Sequence, residues 1–156
     1  MSMGNVRSAP IEENECQIGE QFDLGKWSIT LDSYQLDSAI HISDPELEYD
    51  FDAEEGKCFL ELQLTVTNND NTERLFIDEY SGRSPVIELF YDDEYAYKYE
   101  SNGITSTKKF QYLNWSPLAT ESGSMTFYLP LQILDSENSI VLKMKQGNSI
   151  ASIKLR

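Results

Sequence analysis

Cys58-Phe59-Leu60-Glu61-Leu62-Gln63-Leu64-Thr65-Val66 is the stretch that decides the fold class. Cys58, Leu60, Leu62, Leu64 and Val66 share one parity; Phe59, Glu61, Gln63 and Thr65 share the other. Side chains alternate across a strand, whereas a helix repeats every 3.6 residues. Five apolar residues at strict period two therefore predict a strand with one face in a core. Asn68-Asn69-Asp70-Asn71 follows. Such side chains hydrogen-bond to nearby backbone, which ends a strand in a turn.

The same alternation extends in both directions. Upstream, Trp27, Ile29 and Leu31 oppose Ser28, Thr30 and Asp32. A Gly25-Lys26 turn joins that strand to an earlier one carrying Ile18, Phe22 and Leu24 on one parity. Downstream, short strands are predicted over 74–78 with Leu75 and Ile77, and over 86–91 with Ile87 and Leu89. Asp92-Asp93-Glu94 reads as a hairpin loop into 95–99, and Asn102-Gly103 as a tight turn. Residues 124–129 alternate Met125, Phe127 and Leu129 with polar neighbours. One helical turn fits 130–136, and strands 139–145 and 150–155 close the chain around Gln146-Gly147-Asn148.

No internal repeat is present, and no stretch keeps a helical period. Eight or more short strands with regular turns predict an all-β, antiparallel β-sandwich. Its core should contain Trp27, Ile29, Leu31, Leu60, Leu62, Leu64, Val66, Met125, Phe127, Leu129, Ile140 and Leu142. Residues 1–16 are polar, contain Pro10 and lack periodicity, so they read as a disordered lead-in. Residues 17–156 then form a single β-sandwich domain. A chain of 156 residues is long enough to fold without a metal or disulfide framework.

Charge narrows the partners. There are 27 acids against 12 bases, a net charge of −15. That balance disfavours nucleic acid and anionic membrane surfaces. No apolar run is long enough for a transmembrane segment, and the first 15 residues contain no signal-peptide core.

Candidate sites are few. His41 is the only histidine, and no G-x-S-x-G motif accompanies it, so a hydrolase is not expected. With so many carboxylates, no pair stands out as a glycosidase acid and base. Zinc spacing is absent, and no cofactor is implied. Cys16 and Cys58 both fall on inward parities, as a disulfide or as two buried thiols. Tyr95, Tyr97 and Tyr99 share one parity, with Tyr112 and Trp115 downstream. Exposed, these rings would bind a glycan or a protein; otherwise they pack at a sheet edge. From Asp44 to Glu54 every even position is acidic, while the odd positions carry Pro45, Leu47, Tyr49, Phe51 and Ala53. An extended segment would lay the apolar side on the sandwich and turn the acids to water. Asp50, Asp52 and Glu54 are the weak candidates for calcium. Asn114-Trp115-Ser116 matches a glycosylation sequon, and one such match is expected by chance.

An ordered set of pieces carries a resemblance. Ile18-Gly19-Glu20 leads to Gly25-Lys26-Trp27-Ser28-Ile29-Thr30-Leu31. A long strand ends in Thr65-Val66-Thr67-Asn68-Asn69, and Gly123-Ser124-Met125-Thr126-Phe127-Tyr128-Leu129-Pro130 precedes the last two strands. Together these resemble the telokin-like domains of bacterial secreted proteins and lipoproteins, the immunoprotective-extracellular-protein superfamily, over about residues 17–156. The resemblance implies an immunoglobulin-like sandwich, export to the extracellular side or cell surface, no catalytic residues and no established activity. Asn14-Glu15-Cys16 departs from a lipid-anchor motif, so an anchor would lie upstream of residue 1, as would the signal sequence. The acidic insertion between about Gln35 and Gly56 is the second departure. The expected function is a non-catalytic, surface-associated interaction domain with a protein or glycan partner. A carbohydrate- or calcium-binding module and a cytoplasmic location are the alternatives.

Overall fold

The computed structural model describes residues 11–44, 47–78, 84–99 and 114–156. Met1 to Pro10, the Asn102-Gly103 turn and Tyr112 lie outside the described residues. The elements in chain order are β1 (Glu12–Cys16), β2 (Gln21–Leu24), β3 (Trp27–Asp37), β4 (Ala39–Asp44), β5 (Leu47–Asp52) and β6 (Lys57–Asn68). Then come β7 (Arg74–Leu75), β8 (Val86–Tyr91), β9 (Tyr95–Tyr97), β10 (Asn114–Trp115) and β11 (Thr120–Pro130). A helical turn, α1 (Leu131–Leu134), precedes β12 (Ile140–Gln146) and β13 (Ser149–Lys154).

The fold is a β-sandwich. One sheet has the order β11-β6-β3-β2 and the other β1-β13-β12-β8-β9. Two small ladders, β10-β7 and β4-β5, complete it. Every residue of the core predicted from alternation is fully buried, as are Leu89, Met144 and Ile153 of the five-stranded sheet. In β6 the buried parity is that of Cys58, Leu60, Leu62, Leu64 and Val66. At one end of the core Trp27 meets Phe76 and Trp115 edge-on, with ring centroids 5.1 and 5.7 Å away.

β3 runs five residues beyond the predicted Asp32 because its register shifts between Leu31 and Ser33. A bulge inserts one unpaired residue and moves the inward parity. Trp27, Ile29 and Leu31 therefore face the core before it, and Tyr34 and Leu36 pack on the core after it. The Gly25-Lys26 turn forms as predicted, closing the β2–β3 hairpin with Gly25 at φ +62°.

Three expectations need correction. Residues 12–16 are not part of a disordered lead-in; they form β1, which pairs parallel with β13 from Glu12↔Ser149 to Cys16↔Ile153. The five-stranded sheet is thus antiparallel except at this edge. Ile18 does not continue the first strand inward; it is exposed beside the turn that precedes β2. The strand at 74–78 contracts to the two residues of β7, after which Phe76 and Ile77 enter the core from a loop.

The acidic insertion becomes the β4–β5 hairpin, with Ala39 opposite Asp52 and His41 opposite Asp50. Next to it a second, smaller apolar layer forms on the outward side of β6. Phe59 stacks on Tyr128 at 5.0 Å, and the Tyr128 hydroxyl accepts the Glu54 backbone N–H. Phe59 and Ile40 are both buried outside the main core cluster.

Candidate functional site

The sequence-predicted residues scatter. Trp115 is not available to a ligand: it is fully buried, and its indole N–H donates to the Val66 carbonyl at 3.1 Å. Tyr95, Tyr97 and Tyr99 do share a parity, but it is the core-facing one, since Tyr95 lies opposite Tyr91 and Tyr97 opposite Leu89. Tyr97 and Tyr99 pack against the core, and desolvation pushes the Tyr97 hydroxyl above the usual phenol range. Only Tyr95, at the rim, stays about half exposed, 6.2 Å from the Tyr91 ring.

Asp50, Asp52 and Glu54 are exposed. Among the described residues no three acids, cysteines or histidines converge as a metal site. Asp50 instead meets His41 across the hairpin, with Nδ1 and Oδ1 2.7 Å apart and both side chains open to water.

The Cys16–Cys58 disulfide is not formed; both thiols are free and buried. Cys16 belongs to the five-stranded sheet and Cys58 to the four-stranded one, where its Sγ donates to the Pro130 carbonyl. Burial raises both thiol pKa values, which withholds the reactive thiolate.

Two features went unread in the sequence. The first is a shallow cleft of about 540 Å³ on the outward face of the five-stranded sheet. β1 contributes Glu13 and Glu15, β12 Lys143, β13 Ser152 and Lys154, and the β8–β9 loop Asp93. Alternation puts Glu13, Lys143 and Ser152 on the outward parity. Glu13 Oε1 accepts the Ser152 hydroxyl at 2.6 Å and pairs with Lys143 Nζ at 3.1 Å. The Ser152 hydrogen bond first, and then Lys143, holds the Glu13 carboxyl below its ordinary range. Lys143 also lies 5.2 Å from the Phe90 ring centre. No local motif announces this cleft, because its residues come from four separate segments.

The second is a cluster of turns at the end of the sandwich where β6 meets β11. Asn68 is fully buried. Its Nδ2 donates to the Thr72 and Trp115 carbonyls at 2.9 and 3.0 Å, and its Oδ1 accepts the Asp70 N–H at 2.9 Å. Its backbone is paired as well, accepting from Leu118 N–H and donating to the Ala119 carbonyl. The loop after β6 and the loop before β11 are thereby tied together. Asn68 is legible in the sequence as a turn former, but its role as a tie between two loops is not.

No protein-family model matches the chain, and no curated protein matches it. Among solved structures, an uncharacterized beta-sandwich protein from Clostridium difficile is similar at TM-score 0.73 and 19% identity, over 96% of this chain and 99% of that one. A conserved hypothetical protein from Bacillus anthracis is similar at TM-score 0.61 and 10% identity, over 90% and 94% of the two chains. At such identities the likeness carries the architecture alone: the chain shares its fold with uncharacterized bacterial β-sandwich proteins.

Proposed function

We propose that this protein is a non-catalytic interaction domain, exported or surface-associated, whose protein partner docks on the cleft between β1, β12 and β13. The observation that carries this is charge placement. In a chain of net charge −15, Lys143 and Lys154 line this cleft from two neighbouring strands, with Glu13, Glu15 and Asp93 around them. Fixed ammonium and carboxylate groups on a rigid sheet select a partner by complementary charge. Strand order supports the immunoglobulin-like reading. β3-β6-β11 follow the A-B-E neighbours of such a domain, and β8-β12-β13 follow C-F-G. Export rests on the telokin-like resemblance; the free thiols give it no added support.

Tyr95 favours a second reading, a carbohydrate-binding module, because its ring is accessible at the rim. Peptide and glycan arrays separate the two. A protein-binding cleft predicts peptide ligands lost on joint Lys143→Glu and Lys154→Glu exchange and kept by Tyr95→Ala. A glycan site predicts the reverse. Turnover of chromogenic ester, peptide or glycoside substrates would overturn the non-catalytic reading. Recovery of the native protein wholly in the cytoplasmic fraction would overturn export.

A further inference from the structure

The Ser116-Pro117-Leu118-Ala119 turn carries a local contradiction. Ala119 N–H donates to the Ser116 carbonyl at 3.0 Å, and Leu118 has φ +64°. That hydrogen bond puts Pro117 at the first central position and Leu118 at the second, and because proline cannot take positive φ only the second carries it. That is a type II turn, whose second central residue is ordinarily glycine or asparagine. A leucine there brings its Cβ against backbone, a cost glycine avoids. Leu118 is also 75% exposed, the most exposed of the large apolar side chains described. A single exposed leucine needs no explanation. A leucine that is exposed and also held in a strained conformation gains nothing for the fold from either feature. The turn is fastened from below, since Leu118 N–H donates to the Asn68 carbonyl at 2.8 Å and Asn68 itself is fully buried.

We propose that Leu118 is a pre-positioned anchor that inserts into an apolar pocket on a different, basic protein. The positive φ sets the direction of the Cα–Cβ bond, and the Asn68 tie removes the backbone part of the ordering cost that binding would otherwise meet. Charge selects the occupant. A second copy carries the same −15 and repels, and an anionic membrane repels likewise. A pocket with a cationic rim is attracted.

The test uses the full chain with a photo-activatable leucine analogue at 118, exposed to extract from the cells that make the protein. Unlabelled wild type, Leu118→Met and Leu118→Asn serve as competitors. Asparagine tolerates positive φ, so Leu118→Asn should melt about 2–4 °C higher than wild type. Wild type and Leu118→Met should suppress cross-linking to one basic protein, with Leu118→Asn weaker by about tenfold or more. Three results would overturn the proposal: a lower melting temperature for Leu118→Asn, competition by Leu118→Asn equal to wild type, or cross-links absent or formed only to a second copy of this chain. Recovery of anionic phosphatidylglycerol vesicles with the wild type, lost in Leu118→Asn, would overturn the choice of a protein.

Discussion

Asn68 concentrates more consequence than any other polar residue of the core. Its buried side chain supplies two strong donor contacts and one acceptor contact to the backbones of Thr72, Trp115 and Asp70. Removing them leaves carbonyls and an N–H without partners in a place water cannot easily reach. Asn68→Ala should therefore cost about 3 kcal/mol, read as a lowered urea midpoint at unchanged slope. A loss under about 1 kcal/mol would mean that the loops hold themselves. Glu13 gives a second expectation at this scale. Its folded carboxyl titrates below its unfolded value because of Ser152 and Lys143. The pairing therefore stabilises above the ordinary carboxylate range and is lost as pH falls through the folded pKa. Carboxyl-carbon NMR titration should show Glu13 below the ordinary glutamate value and Ser152→Ala moving it upward. An unmoved value would detach the shift from that hydrogen bond. Residues whose role is packing are legible from period two alone, as Leu62 and Phe127 illustrate. The tie of Asn68 to Trp115, the pairing of Glu13 with Ser152 and Lys143, and the fastening of Leu118 to Asn68 are not, because those partners are distant in sequence.

Among elements, the long strands can be read from sequence and the edges cannot. Apolar residues alternate along β6 from Cys58 to Val66 and along β11 from Met125 to Leu129, so period two assigns their core-facing side, and only Phe59 and Thr126 are buried on the other. β1 offers Glu12, Glu13, Asn14 and Glu15, all exposed, with only Cys16 buried, a pattern with no apolar period. It is a strand because β13 presents a backbone edge to it, an instance of tertiary context overriding local propensity. Three glutamates on that edge also discourage another chain from pairing there. Deleting residues 1–16 should then uncover both the β13 edge and the core around Ile153. Amide exchange should rise along Ser149–Lys154 while the β3, β6 and β11 amides keep their protection. Unchanged exchange in β13 would show that β1 contributes no stability to the sheet. The insertion at 39–52 is legible as extended backbone, because acids at every second position fit a strand. That it closes on itself as a hairpin is not legible, since no Asn-Gly or Asp-Gly signal marks its turn.

At the scale of the whole molecule, the excess of acid is plain in the sequence and its distribution is only half so. Residues 1–55 hold 14 of the 27 acids and 2 of the 12 bases. Strand pairing then brings acidic β1 next to the lysines of β12 and β13, whereas the β4–β5 hairpin carries no lysine or arginine of its own. Its five acids sit in a molecule already at −15. Like charges held together in a compact state oppose folding, and salt relieves them. The Debye length falls from about 30 Å at 0.01 M salt to about 8 Å at 0.15 M. Adding sodium chloride across that interval should therefore raise the melting temperature, with the gain levelling off by 0.15 M. Excision of residues 39–52, with a short turn joining Ser38 to Ala53, should leave a folded sandwich, because the main core lies outside the hairpin. It should also shrink the salt response, since five acids go and no lysine or arginine goes with them. An uncharged excluded osmolyte such as sucrose should stabilise parent and excised forms alike, because exclusion acts without regard to charge. Equal salt responses in the two forms would place the repulsion elsewhere, and a melting temperature that falls with salt would mean that the Glu13–Lys143 attraction outweighs it.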